Sequence, residues 1–222
     1  MIGKLLLLII LGYLIGSTPF GLIFGRLKAK VDIRHYGSGR TGSTNVLRTM
    51  GKGAFLTVAA LDVVKGTIAV LLAKLIFGSG HITLGFYDLG APAAMSIAGM
   101  ATIAGHVWPV FAHFKGGRGV GTFIGTLFAV SPVAALFGGE IIIIAAGLSG
   151  FASLGSLTGI VGAYAMLIPL TFLYGSPMEY LFYAMAGVIL IAAVHRDNIV
   201  RLFNGRERKL NQKAELRTGN TA

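Results

Sequence analysis

A short loop with two cations and three glycines, residues 115–119, is the first candidate for chemistry in this chain. Its sequence is Lys115-Gly116-Gly117-Arg118-Gly119, and it lies between apolar segments long enough to cross a bilayer. Glycines let backbone N–H groups converge on an anion, and a helix starting at Val120 would add the positive end of its dipole. The loop predicts a phosphate-binding site, and the alternative is an ordinary turn whose charges only set membrane orientation.

A second polar segment, residues 37–45, combines glycines with hydroxyl and amide side chains. The spacing of its glycines is similar to a Walker nucleotide loop, but Ser43 stands where that loop requires Lys, which excludes a nucleotide-hydrolysing site. Hydroxyl and amide groups suit a polyol, and a following arginine can hold a phosphate with two parallel hydrogen bonds. A flexible polar linker is the alternative. The candidate ligands are Ser38, Thr44, Asn45 and Arg48.

Two further pairs of polar residues have the i,i+3 spacing of one helical face. Asp62 and Lys65 lie inside an apolar segment, where neither can face lipid at low cost, so we expect them to be paired inside the bundle. A structural ion pair and a direct substrate role are both open. His195 and Asn198 follow the last apolar segment and are candidates to orient or deprotonate a hydroxyl.

Other catalytic patterns are absent from the sequence. There is no His-x-x-x-x-Asp acyltransferase pattern, no His-Glu-x-x-His zinc pattern, no metal-ligand cluster and no cysteine. We therefore expect a site without metal or cofactor, built from cations and backbone.

Composition identifies the class of protein that must position these residues. Of 222 residues, 55% are hydrophobic and only 12% charged, and the mean hydropathy is +0.78, which is typical of polytopic membrane proteins. The net charge of +11 is confined to short segments beside apolar runs. That distribution sets membrane orientation and does not favour a nucleic-acid partner.

The apolar segments predict an all-α fold with seven transmembrane helices. Segments at about 5–25, 54–77, 91–111 and 179–194 each approach the ~20 residues of a span. Residues 120–174 carry a single charge, Glu140, and are long enough for three spans. We place the interruptions in this stretch at 138–140 and at 153–156, where glycines, a carboxylate and hydroxyls cluster.

The distribution of Lys and Arg predicts the orientation. Residues 26–53 carry seven of them and residues 196–217 carry seven more, whereas 78–90 carry none. By the positive-inside rule, the N-terminus lies outside and the C-terminus in the cytoplasm. A cysteine at position 85 should then react only from outside and one at 210 only from the cytoplasm. Residues 1–204 would form a single transmembrane catalytic domain and 205–222 a flexible basic tail.

Taken in order, the motifs resemble those of the acyl-phosphate-dependent glycerol-3-phosphate acyltransferases of bacterial membranes. The resemblance covers nearly the whole membrane domain and rests on residues 15–21, 37–39 with 44–48, 62–66, 105–120 and 195–198. The chain departs from the family pattern at Arg40, Thr41 and Ser43, and Arg118 replaces a frequent Lys.

The resemblance implies acyl transfer from an acyl phosphate to the 1-hydroxyl of glycerol 3-phosphate, the first step of phospholipid synthesis. It also implies a site at the cytoplasmic face of a bacterial inner membrane, with the bilayer and the two substrates as partners. Protein partners are not indicated. Carried over by position, the catalytic or substrate-binding residues would be Ser38, Arg48, Lys115 or Arg118, His195 and Asn198, with Ser156 as a weaker member. Whether His195 or the phosphate of the substrate accepts the hydroxyl proton is open, and a transporter or channel for an organic phosphate is the alternative function.

Overall fold

The computed structural model describes residues 1–84 and 87–217. Position 85 and residues 218–222 of the predicted tail lie outside the described residues. Within them the chain forms helices, two short 3-10 turns and one antiparallel hairpin. The elements are α1 (Ile2–Gly16), α2 (Phe20–Lys28), α3 (Ser43–Met50), α4 (Lys52–Phe77), β1 (Ile82–Leu84), β2 (Tyr87–Leu89), α5 (Ala91–Val107), α6 (Val120–Val130), α7 (Pro132–Ser149), α8 (Ala152–Phe172), α9 (Met178–Val194) and α10 (Arg196–Phe203).

The described residues contain five helical segments long and apolar enough to cross a membrane. The first joins α1 and α2 across residues 17–19, and the others are α4, α5 with the turn that follows it, α7 and α8. The pair α9 and α10, bent by 63°, is a sixth candidate. The predicted all-helical membrane architecture is confirmed, whereas the count of seven stays a prediction because α6 has only 11 residues, about 17 Å.

The predicted interruption at 138–140 is wrong, because α7 runs unbroken through these residues. The chain breaks instead at Ser131, where Pro132, which has no N–H to donate, begins a new helix. The second break falls at Gly150, in the left-handed region (φ +75°), and the predicted 153–156 segment is the first turn of α8.

Gly138, at which an interruption was predicted, lies instead at the contact between α7 and α8. A Cβ added to Gly138 would lie 2.5 Å from the Ala163 Cβ and 2.8 Å from the Gly159 carbonyl oxygen, so α7 and α8 approach at bare backbone. Small residues at such crossings are a common means of helix association in membranes.

The ends of these helices define where polar residues collect. Helices α6 and α8 begin, and α5 and α9 end, beside one cavity. We call this the basic end of the bundle, defined by residues 26–53, 112–119 and 195–217. Along the chain, helix α4 separates the hairpin β1–β2 from the basic end, and helix α6 separates the break at Ser131 from it.

Candidate active site

A cavity of about 60 Å³ opens between the helix ends at the basic end. Its walls come from the loop before α3, the first turns of α6 and α8, and single side chains of α4 and α5. Three separate polar motifs of the sequence therefore meet at one place. Of the predicted site residues, those that line the cavity are Ser38, Thr44, Asn45, Asp62, Arg118, Ser156 and His195.

Asn45, in the first turn of α3, holds the loop that precedes this helix. Its Nδ2 donates to the carbonyls of Ile33, Tyr36 and Arg40 at 2.8, 3.1 and 2.9 Å, and its Oδ1 accepts from the Ser38 N–H at 3.0 Å. The side chain is 2% exposed. Substrate binding by Asn45 stays a prediction, but its amide is already occupied in shaping the loop that carries Ser38 and Arg40.

The glycine loop packs closely against the end of α5. The Gly117 N–H donates to the His106 carbonyl (3.1 Å), and the Thr41 N–H donates to the Gly116 carbonyl (3.4 Å). A Cβ on either glycine would overlap His106, which explains why neither position carries a side chain. Lys115, at the start of the loop, is exposed and does not line the cavity.

Arg118 faces the cavity from the last turn before α6. Its buried Nε has no hydrogen-bond partner within the described residues. Burial, followed by the positive charge of Arg40, lowers the pKa of this guanidinium to about 10. Both causes penalise the charged form, and the negative charge of Glu207 offsets them only in part. Neither Arg118 nor Arg40 has a carboxylate oxygen within 4.0 Å among residues 1–84 and 87–217.

His195 lies at the bend between α9 and α10, just past the end of the span, and is 2% exposed. Its Nδ1 lies 2.8 Å from the Ile191 carbonyl, which can only accept, so Nδ1 carries the ring proton and Nε2 is left as the basic nitrogen. Burial, followed by the charge of Arg118, lowers the pKa of His195 to about 4. The ring is therefore neutral at neutral pH, with Nε2 unprotonated.

Below the cavity a buried cluster joins α4, α5 and the break between α1 and α2. The Lys65 Nζ lies 2.8 Å from Asp62 Oδ1, 2.9 Å from His106 Nδ1 and 3.0 Å from the Thr18 carbonyl. Asp62 and Lys65 are each 4% exposed, and the Lys65 ammonium also sits 5.5 Å from the ring centroid of Phe20. Every charge in this cluster has a partner inside the protein.

Asn198 does not line the cavity. Its Nδ2 donates to Glu207 Oε1 (2.7 Å), whose other oxygen accepts from Arg201 Nε (2.8 Å). The buried Oδ1 of Asn198 has no partner among the described residues. In the structure Asn198 anchors the segment after α10, and its predicted catalytic role stays a prediction.

The segment 206–217 lies across the basic end. Its backbone is hydrogen-bonded to Gly150 through Leu210, to Arg48 through Ala214 and to His35 through Arg217. The flexibility expected of this tail stays a prediction, but its contacts connect three parts of the fold.

Arg48 lies beneath this segment and outside the cavity. Its Nη2 donates to the Arg208 carbonyl (3.0 Å), and its Nε is buried without a partner among the described residues. Burial and the charge of Arg208 lower the pKa of Arg48. Substrate binding by Arg48 stays a prediction.

Sequence reasoning missed four residues that the structure places at or beside the site. Arg40, Ser153 and His106 line the cavity, and Glu207 pairs with Asn198. A histidine near the inner end of an apolar segment, nine residues before Lys115, was an available signal for His106. No sequence pattern indicated that Glu207 folds back onto α10.

The comparisons with known proteins bear on the identity of this site. The family model for glycerol-3-phosphate acyltransferase matches residues 6–205. The chain belongs to this family. Glycerol-3-phosphate acyltransferase 3 of Dehalococcoides mccartyi is 60% identical over 214 residues, 96% of this chain and 99% of that protein. The glycerol-3-phosphate acyltransferase of Aquifex aeolicus is 40% identical over 93% of this chain and 99% of its own length.

Solved structures agree with the family assignment. The fold matches a crystal structure of PlsY (YgiH), an integral membrane glycerol 3-phosphate acyltransferase, in its glycerol 3-phosphate form, with a TM-score of 0.79. Sequence identity is 38%, and the match covers 92% of this chain and 94% of the other. The lysophosphatidic acid form of PlsY matches with a TM-score of 0.77 at 37% identity, again over 92% of this chain and 94% of that one. The family inferred from the sequence motifs is confirmed.

A metal site was not expected, and that expectation stays a prediction. Within residues 1–84 and 87–217 no group of three or more His, Asp or Glu side chains is arranged to hold a metal ion.

Proposed function

We propose that this protein transfers an acyl group from an acyl phosphate to the 1-hydroxyl of glycerol 3-phosphate, forming lysophosphatidic acid and inorganic phosphate. The observation that carries the proposal is a cavity lined by two guanidiniums beside a neutral, buried histidine, with no carboxylate within 4.0 Å of either guanidinium among the described residues. Two phosphate-bearing substrates would supply the missing negative charge. The glycerol 3-phosphate and lysophosphatidic acid forms of PlsY support the choice of acceptor and product.

The reaction needs little covalent chemistry from the protein. The oxygen of the 1-hydroxyl attacks the carbonyl carbon of the acyl phosphate, and a new ester bond forms while the bond between carbonyl carbon and phosphate oxygen breaks. The phosphate leaves with the electrons of that bond. His195 Nε2 accepts the hydroxyl proton and passes it to the departing phosphate, so no proton is gained or lost overall.

Cations near the leaving phosphate stabilise the charge that develops on it. Arg118 is the group best placed for this task, because it lines the same cavity as His195 and its buried Nε has no partner among the described residues. The cavity also brings two substrates together, and correct mutual placement alone accounts for much of the acceleration of such reactions.

We propose in addition that α6 counts as a short seventh span and that the basic end faces the cytoplasm of a bacterial inner membrane, with the N-terminus outside. The two clusters of seven Lys and Arg support this orientation, and seven alternating segments would bring the start of α6, the start of α8 and the end of α9 to one side. Single cysteines in this cysteine-free chain test it. A cysteine at position 88 should react with an impermeant reagent only from outside, and one at position 210 only from the cytoplasm. The reverse pattern would contradict the orientation.

The function is tested with purified protein in detergent, palmitoyl phosphate and glycerol 3-phosphate. We expect phosphate release that depends on both substrates, with lysophosphatidic acid as the lipid product. Palmitoyl-CoA should not replace palmitoyl phosphate, and EDTA should leave the rate unchanged. Turnover with palmitoyl-CoA would contradict the donor, and EDTA inhibition reversed by a divalent ion would contradict the metal-free mechanism. Uptake of glycerol 3-phosphate into proteoliposomes without acyl transfer would favour the transporter.

A further inference from the structure

Residues 214–217, which we call the strap, lie against the outer side of residues 36–42, which we call the Ser38 loop. The strap belongs to the segment that follows α10, past residues 6–205, the part of the chain that the family model matches. Three of its four side chains are exposed. Its contacts with the rest of the protein are therefore mainly those of its backbone.

Two backbone hydrogen bonds pair the strap with the start of the Ser38 loop. The Gly37 N–H donates to the Glu215 carbonyl (3.0 Å), and the Arg217 N–H donates to the His35 carbonyl (2.8 Å). The two bonds run in opposite directions between the segments, as in an antiparallel ladder. The Ser38 loop contains no helix, so the strap supplies a regular backbone partner that the loop itself does not have.

The strap also touches the part of the loop that lines the cavity. Ser38 and Arg40 line the cavity, and the Arg217 Nη1 donates to the Ser38 carbonyl at 3.4 Å. A Cβ added to Gly39 would overlap the Arg217 guanidinium, so this side chain lies directly against bare backbone. Asn45 contacts the same loop through the Ser38 N–H and the Arg40 carbonyl. The loop is therefore held by Asn45 and by the strap.

The chain between α10 and the strap is tied to other walls of the cavity. Glu207 accepts from Asn198 at 2.7 Å, and Asn198 belongs to the helix that begins directly after His195. The Leu210 N–H donates to the carbonyl of Gly150, in the turn before α8 (2.8 Å). One short segment thus connects the bend after α9, the start of α8 and the Ser38 loop.

We infer that the strap is a positioning element that fixes Ser38 and Arg40 relative to His195 in the geometry that acyl transfer requires. Reacting groups must be held in one arrangement, and a displacement of about 1 Å can cost about 100-fold in rate. Without the strap, every side chain that lines the cavity is still present, but the loop that carries two of them loses one of its two supports. The kinetic part of this inference rests on the proposed function, whereas the ordering of the loop does not.

Deletion of residues 214–222 tests the inference, and deletion of 218–222, which keeps the strap, is the matched control. The larger deletion removes one acidic and one basic side chain, Glu215 and Arg217, so the net side-chain charge is unchanged. It should lower kcat by about 10- to 100-fold and change the KM of either substrate by less than about threefold, because the side chains that line the cavity remain. Its melting temperature should stay within about 2 °C of wild type, because no contact between membrane-spanning helices is lost. The control should behave as wild type.

A disulfide distinguishes a fixed strap from one that opens during turnover. Tyr36 and Leu216 lie opposite each other between the two backbone bonds. The Cα atoms of such a pair are about 4.5 Å apart, within the range of a disulfide. The chain has no cysteine, so Tyr36→Cys with Leu216→Cys gives one defined crosslink. The oxidised and reduced forms should turn over equally fast. Loss of activity on oxidation that a reductant restores would mean that the strap must open, and it would overturn the inference.

Hydrogen exchange of the Ser38 loop separates its ordering from the reaction. Without substrates, the amides of residues 36–42 should exchange faster in the 214–222 deletion than in wild type or the control deletion. Unchanged exchange, or unchanged kcat in that variant, would overturn the inference. A lowered melting temperature that accounts for the lost activity would indicate a role in overall stability and would also overturn it. Faster exchange in the variant, together with no acyl transfer by wild type, would overturn the proposed reaction and leave the positioning of the loop standing.

Discussion

Two groups of cations adjoin the same cavity, and they differ in whether the protein neutralises them. Lys65 has a carboxylate, a histidine nitrogen and a carbonyl as partners within 3.0 Å. Arg118 faces the same cavity with its Nε unpaired among the described residues, and Arg40 beside it has no protein acceptor there. The contrast distinguishes a cation that stabilises the fold from one that is kept available for a ligand.

The difference has an energetic reason. A buried charge with a complete set of partners is tolerated, and removing one partner leaves an uncompensated charge. An unpaired cation beside a cavity is costly to the unliganded protein, and that cost is offset only when an anion binds. The buried cluster of Asp62, Lys65 and His106, which we call the inner cluster, should therefore govern stability. Arg40 and Arg118, which we call the cavity cations, should govern turnover.

The largest expected effect on turnover comes from His195, which lines the cavity together with Arg118. His195→Gln removes the proposed proton acceptor, and kcat should fall by about 100- to 10,000-fold, the usual contribution of general acid–base catalysis. The KM for glycerol 3-phosphate should change much less, because proton transfer matters only as the ester bond forms. Steady-state kinetics measures both. A loss of less than tenfold in kcat would indicate that the phosphate of the substrate accepts the proton.

The inner cluster should respond in stability. Asp62→Ala leaves the Lys65 ammonium without its carboxylate and should lower the free energy of unfolding by about 3–5 kcal/mol. Thermal unfolding in detergent measures the change. The double variant Asp62→Ala with Lys65→Met removes both charges and should recover part of the loss. If Asp62→Ala melts with wild type but is inactive, the cluster belongs to the catalytic machinery and the contrast drawn above fails.

The spans were predictable because apolar length is a sequence property that packing barely alters. The predicted segment 54–77 corresponds to Lys52–Phe77, and 179–194 corresponds to Met178–Val194. The breaks within 120–174 were harder. Glycine at 138 serves helix contact rather than interruption, and the stronger signal was Pro132, which cannot continue the hydrogen bonding of α6.

Within the site, the sequence predicts which motifs meet but not which polar atoms remain free. The predicted seven-span topology places Ser38, Arg118 and His195 on one side of the membrane, and in the structure the three residues line one cavity. The saturation of the Asn45 amide by three loop carbonyls depends on a loop conformation that no spacing rule encodes. No role was assigned to His106 from the sequence, because nothing in its spacing connects it to Lys65. In the structure its ring contacts Lys65 and lies against the glycine loop.

Acidification should test whether burial and the neighbouring charge of Arg118 keep His195 neutral in the folded protein. The folded-state pKa of His195 is about 4, below its ordinary value of 6.5, so the unfolded chain binds a proton at this position between pH 6.5 and 4 while the folded protein does not. His195 should therefore reduce stability as the pH falls through that window and have no such effect above it. Melting temperatures of wild type and His195→Gln across pH 4 to 7 measure the contribution. Parallel curves would mean that the pKa of His195 is the same in the folded and unfolded protein, which would contradict its burial beside Arg118.

Arg118→Ala tests whether a cavity cation contributes to turnover without contributing to the stability of the fold. The variant loses charge-assisted hydrogen bonds to phosphate of about 1.5–3 kcal/mol, which corresponds to about 10- to 150-fold in kcat/KM. Its melting temperature should stay within about 2 °C of wild type or rise, because no protein partner is lost. A clear drop in melting temperature without loss of activity would reverse the distinction between the cavity cations and the inner cluster.

The smallest effect is expected at Lys115, where the sequence motif and the position of the side chain in the structure predict different results. The motif alone gives Lys115→Ala the same loss as a phosphate ligand, about 10- to 150-fold. The structure places this side chain on the exposed side of the loop, away from the cavity, where the interaction with a bound anion is screened by solvent and salt. We therefore expect less than about a threefold change in kcat/KM at 150 mM salt, and a larger change at 10 mM salt, because lower ionic strength lengthens the range of its charge. Arg206→Ala, another exposed cation on the same end, is the control and should show a similarly small change. A tenfold or greater loss in Lys115→Ala at both salt concentrations, with Arg206→Ala unchanged, would mean that Lys115 turns into the cavity when substrate binds. Lys115 would then have to be counted among the cavity cations.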